Sequence, residues 1–102
     1  MKNSNLFEIE QLPQIDSEIF ETLIKHKNVT VKKIISNTLK TPQTFVQEED
    51  EFVVLLKGCA KIEINGEIKK LKAGDWLFIP ANTTHTLIKT KKTAVWLAVY
   101  IY

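Results

Sequence analysis

The sequence predicts an all-β fold, an antiparallel sandwich or barrel, preceded by one short helix. The first observation is a succession of short apolar segments rich in β-branched and aromatic residues, which is typical of strands: VTVKKIIS, FVVLLK, CAKIEI, EIKKL, WLFI, TLIK and AVWLAVYIY. The second is that turn-forming residues separate these segments at short intervals. Many short strands joined by tight turns in one chain of 102 residues favour a sandwich or barrel.

The N-terminal quarter has a different pattern. Residues 1–14 read as an extended lead-in that ends at Pro13, after which Asp16 is suited to cap a helix over residues 17–25. Glu18 and Glu21 would lie near the positive end of that helix. Its apolar face would be formed by Ile19, Phe20, Leu23 and Ile24. The sequence therefore divides into a lead-in and helix over residues 1–28 and a barrel over residues 29–102.

Two boundaries among the strands are well defined. Asn65-Gly66 lies between two alternating segments and predicts a hairpin, because a type I′ turn needs positive φ at both central residues. Pro80 cannot donate to a sheet ladder and ends the WLFI strand. Within that strand, alternation places Trp76 and Phe78 on one face, with Leu77 and Ile79 on the other.

The C-terminal strand AVWLAVYIY is apolar on both faces. We expect Val95, Leu97, Val99 and Ile101 to face the core, which leaves three rings outside, Trp96, Tyr100 and Tyr102. A strand of a monomeric barrel normally carries polar residues on its outer face, so this pattern predicts a homodimer. The alternative is that the N-terminal helix covers these rings.

Composition argues against several classes of partner. All fourteen cationic residues are lysine, and the absence of arginine weakens both a nucleic-acid interface and a clamp for a dianionic substrate. No apolar run approaches the ~20 residues of a membrane span, and the N-terminus lacks the apolar core of a signal peptide. We expect a soluble cytoplasmic protein with neither nucleic-acid nor membrane partners. The single cysteine, Cys59, is expected to be a small buried residue.

Two spaced motifs resemble those of the cupin family. Glu51 is followed after six residues by Gly58, and Gly74 is followed after five residues by Pro80, then by Asn82 and His85. The family has His-x-His before the glutamate, and in the second motif it has glycine where Asn82 stands and asparagine where Lys89 stands. The resemblance covers about residues 29–102. It implies a small single-domain cupin, whose fold is a double-stranded β-helix or jelly-roll barrel.

The resemblance implies a metal-binding set that is incomplete in this chain. It places Glu51 and His85 inside the barrel, but the two first-motif histidines would fall at Gln47 and Phe45, or at Val46 and Thr44 with a shorter spacer. The remaining candidate ligands are Gln47, Glu51 and His85. We expect such a set to bind a divalent metal (zinc, nickel, iron or manganese) only weakly. The alternatives are that His85 merely hydrogen-bonds a neighbour and that Glu51 belongs to the solvated acidic run over residues 48–51.

Aromatic residues suggest a pocket for a small molecule. Rings at Phe45, Trp76, Phe78 or Trp96 would form apolar walls, while the three polar candidates orient the ligand; the alternative is that these rings simply fill the barrel. We therefore expect a single-domain cupin that binds a small molecule, a divalent metal or both. One alternative is a cupin-type isomerase, lyase or dioxygenase in which Glu51 and His85 exchange protons. Another is a purely structural, oligomerising cupin.

Overall fold

The computed structural model describes residues 4–102, and the all-β prediction is confirmed. Seven strands follow one another along the chain: β1 (Ser17–His26), β2 (Val29–Asn37), β3 (Gln43–Phe45), β4 (Asp50–Ile64), β5 (Glu67–Lys72), β6 (Trp76–Ile79) and β7 (His85–Ile101). All paired strands are antiparallel, in the order β1-β2-β7-β4-β5, with β3 paired to β7 and β6 paired to β4.

The two longest strands close the barrel. β4 and β7 pair over almost their whole lengths, from Glu51 opposite Tyr100 to Ile64 opposite His85. Register shifts along this ladder, between residues 55 and 62, bend both strands. The second half of β7 also pairs with β2, while its first residues pair with β3. Inward-facing side chains from these strands form one apolar core, which includes Leu55, Ile62 and Leu87.

The predicted N-terminal helix is wrong: residues 17–26 form β1, which pairs with β2 along its length. A bulge between Thr22 and Ile24 shifts the register by one residue, so the apolar positions imitate a helical period. Asp16, with φ of 66°, caps no helix and instead accepts hydrogen bonds from the backbone amides of Lys40 and Thr41 at 2.8 and 2.9 Å. The described residues contain no helix long and apolar enough to cross a membrane.

The predicted turns are confirmed. Asn65 and Gly66 connect β4 to β5 with φ of 52° and 78°, as a type I′ turn requires. β6 ends at Ile79, directly before Pro80. Gly58 lies at the bulge of β4 with φ of 95°, where a side chain would meet the backbone oxygen of Thr93 at 2.8 Å.

The face assignment for β7 is reversed relative to the prediction. Trp96 is buried in the core and Tyr100 packs against it, while Leu97 and Val99 lie on the outer face and are half-buried. A buried hydrogen bond explains the inward position of Trp96: its indole Nε1 donates to Ser36 Oγ, inside the barrel, at 3.1 Å.

Cys59 is exposed, so the prediction that it would be buried is wrong. The bulge around Gly58 turns its side chain outward, and its neighbours across the sheet are Lys72 on β5 and Lys91 on β7.

Candidate functional site

A cavity of about 70 Å³ lies within the barrel, between the inner faces of the strands. Its walls are largely apolar and include Phe20, Ile34, Phe45, Val53 and Leu87. The residues with polar atoms that line it are Glu18, Gln47, Glu51, His85, Trp96 and Tyr100. A few convergent polar groups set in apolar walls are the usual composition of a small-molecule site.

Glu51 is the central polar residue of this cavity. It is the second residue of β4, is only 5% exposed, and lies opposite Ile79 on one side and Tyr100 on the other. The amide nitrogen Nε2 of Gln47 donates to Glu51 Oε1 at 2.6 Å. Burial raises the pKa of the Glu51 carboxyl, although the hydrogen bond from Gln47 and the proximity of His85 act in the opposite direction.

The loop after β6 delivers His85 to the same place. Asn82, at the position where the family has glycine, takes the left-handed conformation with φ of 60°, which asparagine tolerates better than most residues. Its backbone amide donates to the carbonyl oxygen of Gln47 at 2.7 Å, and the amide of Ala81 donates to Asp50 Oδ1 at 2.8 Å. These two bonds tie the loop to the segment that carries Gln47 and Glu51. As β7 begins, His85 points inward and is 6% exposed.

The ring of His85 is oriented by its neighbours. Its Nδ1 lies 3.0 Å from the carbonyl oxygen of Thr83, and because a carbonyl only accepts, Nδ1 carries the hydrogen. Nε2 lies 3.8 Å from Glu51 Oε1. That distance is too long for a direct hydrogen bond between the two side chains. The ring of Phe45 stacks on the imidazole, with centroids 5.7 Å apart.

Glu18 is a site residue that sequence analysis missed. Its carboxyl lines the cavity from β1, and Ser36 Oγ donates to Oε2 at 2.5 Å. Its other oxygen, Oε1, is buried and has no hydrogen-bond partner within residues 4–102. Burial raises the pKa of this carboxyl too. The helix prediction hid its role, although the alternation of Glu18 with Phe20 across a strand would have placed both on the cavity face.

The structure brings together Gln47, Glu51, His85 and Phe45 but not the other two predicted pocket residues. Trp76 and Phe78 are 61% and 52% exposed, on the outer face of β6. They lie opposite Val54 and Phe52 of β4, which also point outward, whereas Ile79 points into the cavity. The expectation that these two rings line the pocket is therefore corrected. Trp96, which sequence analysis also considered, does line it.

The donor set does not fit a tightly held metal ion. Within the described part of the chain, no group of three or more histidine, cysteine, aspartate or glutamate residues is arranged to hold one. Gln47 directs its amide nitrogen, not its oxygen, toward Glu51. One imidazole nitrogen and one carboxylate remain, which is fewer protein ligands than zinc sites use.

Comparison with known proteins identifies the family. Residues 37–100 match the Cupin domain family, and the chain belongs to it. An uncharacterized protein of Aquifex aeolicus (strain VF5) is 34% identical over 73 residues, which are 72% of this chain and 60% of that protein. The chain thus spans less than two thirds of the length of this relative.

Solved structures agree with this assignment. A provisionally named mannose-6-phosphate isomerase from Ralstonia eutropha JMP134 superposes with a TM-score of 0.85 at 33% identity, over 99% of this chain and 98% of that one. An RmlC-like cupin from Shewanella frigidimarina NCIMB 400 superposes with a TM-score of 0.76 at 16% identity, over 99% and 94% of the two chains. The second similarity concerns the fold alone.

Proposed function

We propose that this single-domain cupin binds a small molecule in its barrel cavity, where Glu51, His85 and Gln47 orient the ligand. The observation that carries the proposal is the polar triad set against apolar walls, with Glu51 and His85 buried and Gln47 half-buried. A buried, imperfectly paired carboxyl costs folding free energy, and a ligand that completes its hydrogen bonds offsets that cost. Glu51 Oε1 accepts a hydrogen bond from Gln47, but its 3.8 Å contact with His85 Nε2 is too long to be a second one.

Cavity size and charge restrict the ligand. Since about 10–15 Å³ is needed to hold one water molecule, a cavity of about 70 Å³ accommodates only a few non-hydrogen atoms, and a longer ligand must extend through its mouth. Among the described residues, no lysine lines the cavity, whereas two glutamates do. A phosphate dianion would meet carboxyls without a compensating cation, so the sugar phosphate in the name of the Ralstonia eutropha protein is not the ligand we propose here.

Tryptophan fluorescence tests binding directly, because the two tryptophans lie on opposite faces of the barrel wall. In a Trp76→Phe variant the only indole is Trp96, which is 4% exposed and lines the cavity. We expect its emission to change saturably on titration with n-butanol, a small amphipathic probe. In the matched Trp96→Phe variant, emission from exposed Trp76 should not change. If Trp96 emission is unchanged up to the solubility limit of n-butanol, binding in the cavity is refuted.

For metal, we propose weak, substoichiometric binding of a divalent ion at Glu51 and His85. With only one imidazole and one carboxylate as ligands, such an ion keeps several waters. Zinc or nickel acquired from the medium are the expected occupants. Elemental analysis should find that His85→Ala removes any bound metal, while His26→Ala, at an exposed position, leaves it unchanged. Metal retained by the His85 variant would contradict this assignment.

A second candidate function is acid–base catalysis, favoured by one carboxyl and one imidazole that lie 3.8 Å apart in the same cavity, Glu51 and His85. Such a pair can remove a proton from a carbon next to a carbonyl and return it elsewhere, which is the chemistry of an isomerase. A dioxygenase is disfavoured because the donor set lacks a facial triad. The test is deuterium incorporation into dihydroxyacetone in heavy water. We expect the native protein to accelerate this exchange and Glu51→Gln to abolish the acceleration. If the exchange rate with the native protein equals the rate without protein, this activity on dihydroxyacetone is excluded.

We propose the cytoplasm as the compartment. The exposed thiol of Cys59, with no partner cysteine in the chain, is best maintained in a reducing environment.

A further inference from the structure

We infer that the cavity selects a small organic cation, an ammonium group on a short apolar chain, and that Glu18 is the residue responsible for this preference. The inference rests on the proposed function, since it names the class of ligand for the same cavity. It adds a second anchoring group, on β1, that lines the same cavity as the polar triad formed by Gln47, Glu51 and His85.

Glu18 is positioned as a binding group rather than as a structural one. Trp96 Nε1 donates to Ser36 Oγ at 3.1 Å, and Ser36 Oγ donates to Glu18 Oε2 at 2.5 Å, so a chain of two donors fixes one carboxyl oxygen. Ser36 is fully buried, which makes this chain rigid. The other oxygen, Oε1, is buried and has no protein donor within the described residues. A buried acceptor without a donor costs free energy, which a ligand N–H would recover.

The charge of the lining favours a cation. Glu18 and Glu51 both line the cavity, and among residues 4–102 the basic side chain that lines it is His85, whose Nε2 lies 3.8 Å from Glu51. Burial raises the pKa of the Tyr100 phenol, and both carboxyls add to this shift, so they lie within electrostatic reach of the same group. An ammonium ion between them makes charge-assisted hydrogen bonds, which are about twice as strong as neutral ones. An anion would be repelled by both groups.

The remaining walls define the rest of the ligand. Phe20, Ile34, Phe45 and Leu87 offer apolar surface to a short hydrocarbon chain. Aromatic rings also tolerate a neighbouring cation, because their faces carry partial negative charge. A polar tail would leave its own donors and acceptors unpaired against these walls.

The test compares three probes of matched size, n-butylammonium, n-butanol and propionate, by the emission of Trp96 in the Trp76→Phe background. We expect the ammonium to bind about tenfold more tightly than the alcohol, and propionate to bind most weakly. Adding Glu18→Gln should remove the preference for the ammonium while leaving the affinity for the alcohol unchanged. The matched control is Glu21→Gln on the same strand, since Glu21 is exposed and does not line the cavity.

Each outcome has a distinct meaning. Equal affinities for ammonium and alcohol would overturn the cation preference and leave the proposed function standing. Tighter binding of propionate would overturn it as well. If the preference for the ammonium persists in Glu18→Gln, Glu18 is not the residue that causes it. If that variant does not fold, the comparison of the three probes on the Trp76→Phe protein still decides the class of ligand. If no probe alters Trp96 emission, the proposed function itself fails.

Discussion

Two glutamates, Glu18 and Glu51, are the residues that separate this barrel from a simple packed core. Each carboxyl accepts a hydrogen bond from a neighbouring side chain, Glu18 from Ser36 and Glu51 from Gln47. Neither donor fully compensates for the loss of water, since burial raises the pKa of both groups. Replacing them by apolar residues would relieve this cost, so we infer that they are present in the cavity to bind a ligand.

The raised pKa values predict how stability depends on pH. The folded state binds protons at Glu18 and Glu51 more tightly than the unfolded chain, in which a glutamate has a pKa of 4.5. Their stabilising contribution is therefore fully present below pH 4.5 and is lost as pH rises through the folded pKa values. Glu18→Gln should lose less stability than the native protein between pH 4.5 and 8, measured by urea unfolding. Parallel pH profiles for the two proteins would contradict the burial of this carboxyl.

Asp16 affects the pH dependence of stability only below the range, pH 4.5 to 8, in which Glu18 and Glu51 are compared. Three hydrogen bonds, from the Lys40 amide and from the amide and hydroxyl of Thr41, lower the pKa of its carboxyl to about 2 from 3.8. Its contribution is present above pH 3.8 and is lost as pH falls toward 2, opposite in sign to that of the glutamates. Comparisons above pH 4.5 therefore report Glu18 and Glu51 without interference from Asp16.

At the scale of the elements, strand β1 shows where prediction from sequence stops. The barrel strands from Val29 onward, the turn at Asn65-Gly66 and the break at Pro80 followed from local chemistry that acts in any context. The strand conformation of β1 could not be predicted from local chemistry, because the bulge between Thr22 and Ile24 gives its apolar residues the spacing of a helix. Only its pairing with β2 resolves the ambiguity, and that information is tertiary.

The site, like the fold, could be predicted from the sequence only in part. Glu51 and His85 could be found because fixed spacings connect them to Gly58 and Pro80. Glu18 could not, since its position in the cavity depends on β1 being a strand. Trp76 and Phe78 were assigned to the cavity because alternation defines two faces without saying which is inside. The register with β4 makes that choice, by placing Glu51 and Val53 inward.

Gly58 gives a prediction about the bend in β4. At φ 95° a side chain is strained, and a Cβ there would lie 2.8 Å from the backbone oxygen of Thr93. We expect Gly58→Ala to lower the free energy of unfolding by about 2 kcal/mol or more. Gly66→Ala is the matched control: φ is also positive, but nothing lies within 4 Å, so only the backbone strain of about 1 kcal/mol applies. Equal losses in urea unfolding would show that the close approach to β7 is unimportant.

At the scale of the whole molecule, the outer face of the barrel remains apolar even though the predicted rings lie elsewhere. Half-buried and exposed side chains of three strands form a continuous outer apolar face without a charged member: Phe52, Val54, Trp76, Phe78, Leu97 and Val99. The rings of Phe52 and Trp76 pack 5.5 Å apart within it. A monomer gains nothing from exposing such a surface.

We propose that two copies of this chain associate through the outer apolar face, as an isologous homodimer. Light scattering at high micromolar concentration should report a dimer. Phe78→Lys, which places a charge within this face, should give a monomer. The control is Ile68→Lys, since Ile68 on β5 is as exposed but lies outside the face. A monomeric native protein, or a dimer that survives Phe78→Lys, would contradict the proposal.

The central claim is that ligands bind beside Glu51 and His85, and the imidazole nitrogens of the two histidines test it most directly. Long-range proton–nitrogen NMR spectra resolve His85, buried in the cavity, from His26, exposed at the end of β1. In the free protein we expect His85 to carry hydrogen on Nδ1. On titration with n-butanol we expect a saturable shift of its nitrogen resonances, while those of His26 stay fixed. Unchanged His85 resonances at saturating probe, or equal shifts of both rings, would contradict the claim.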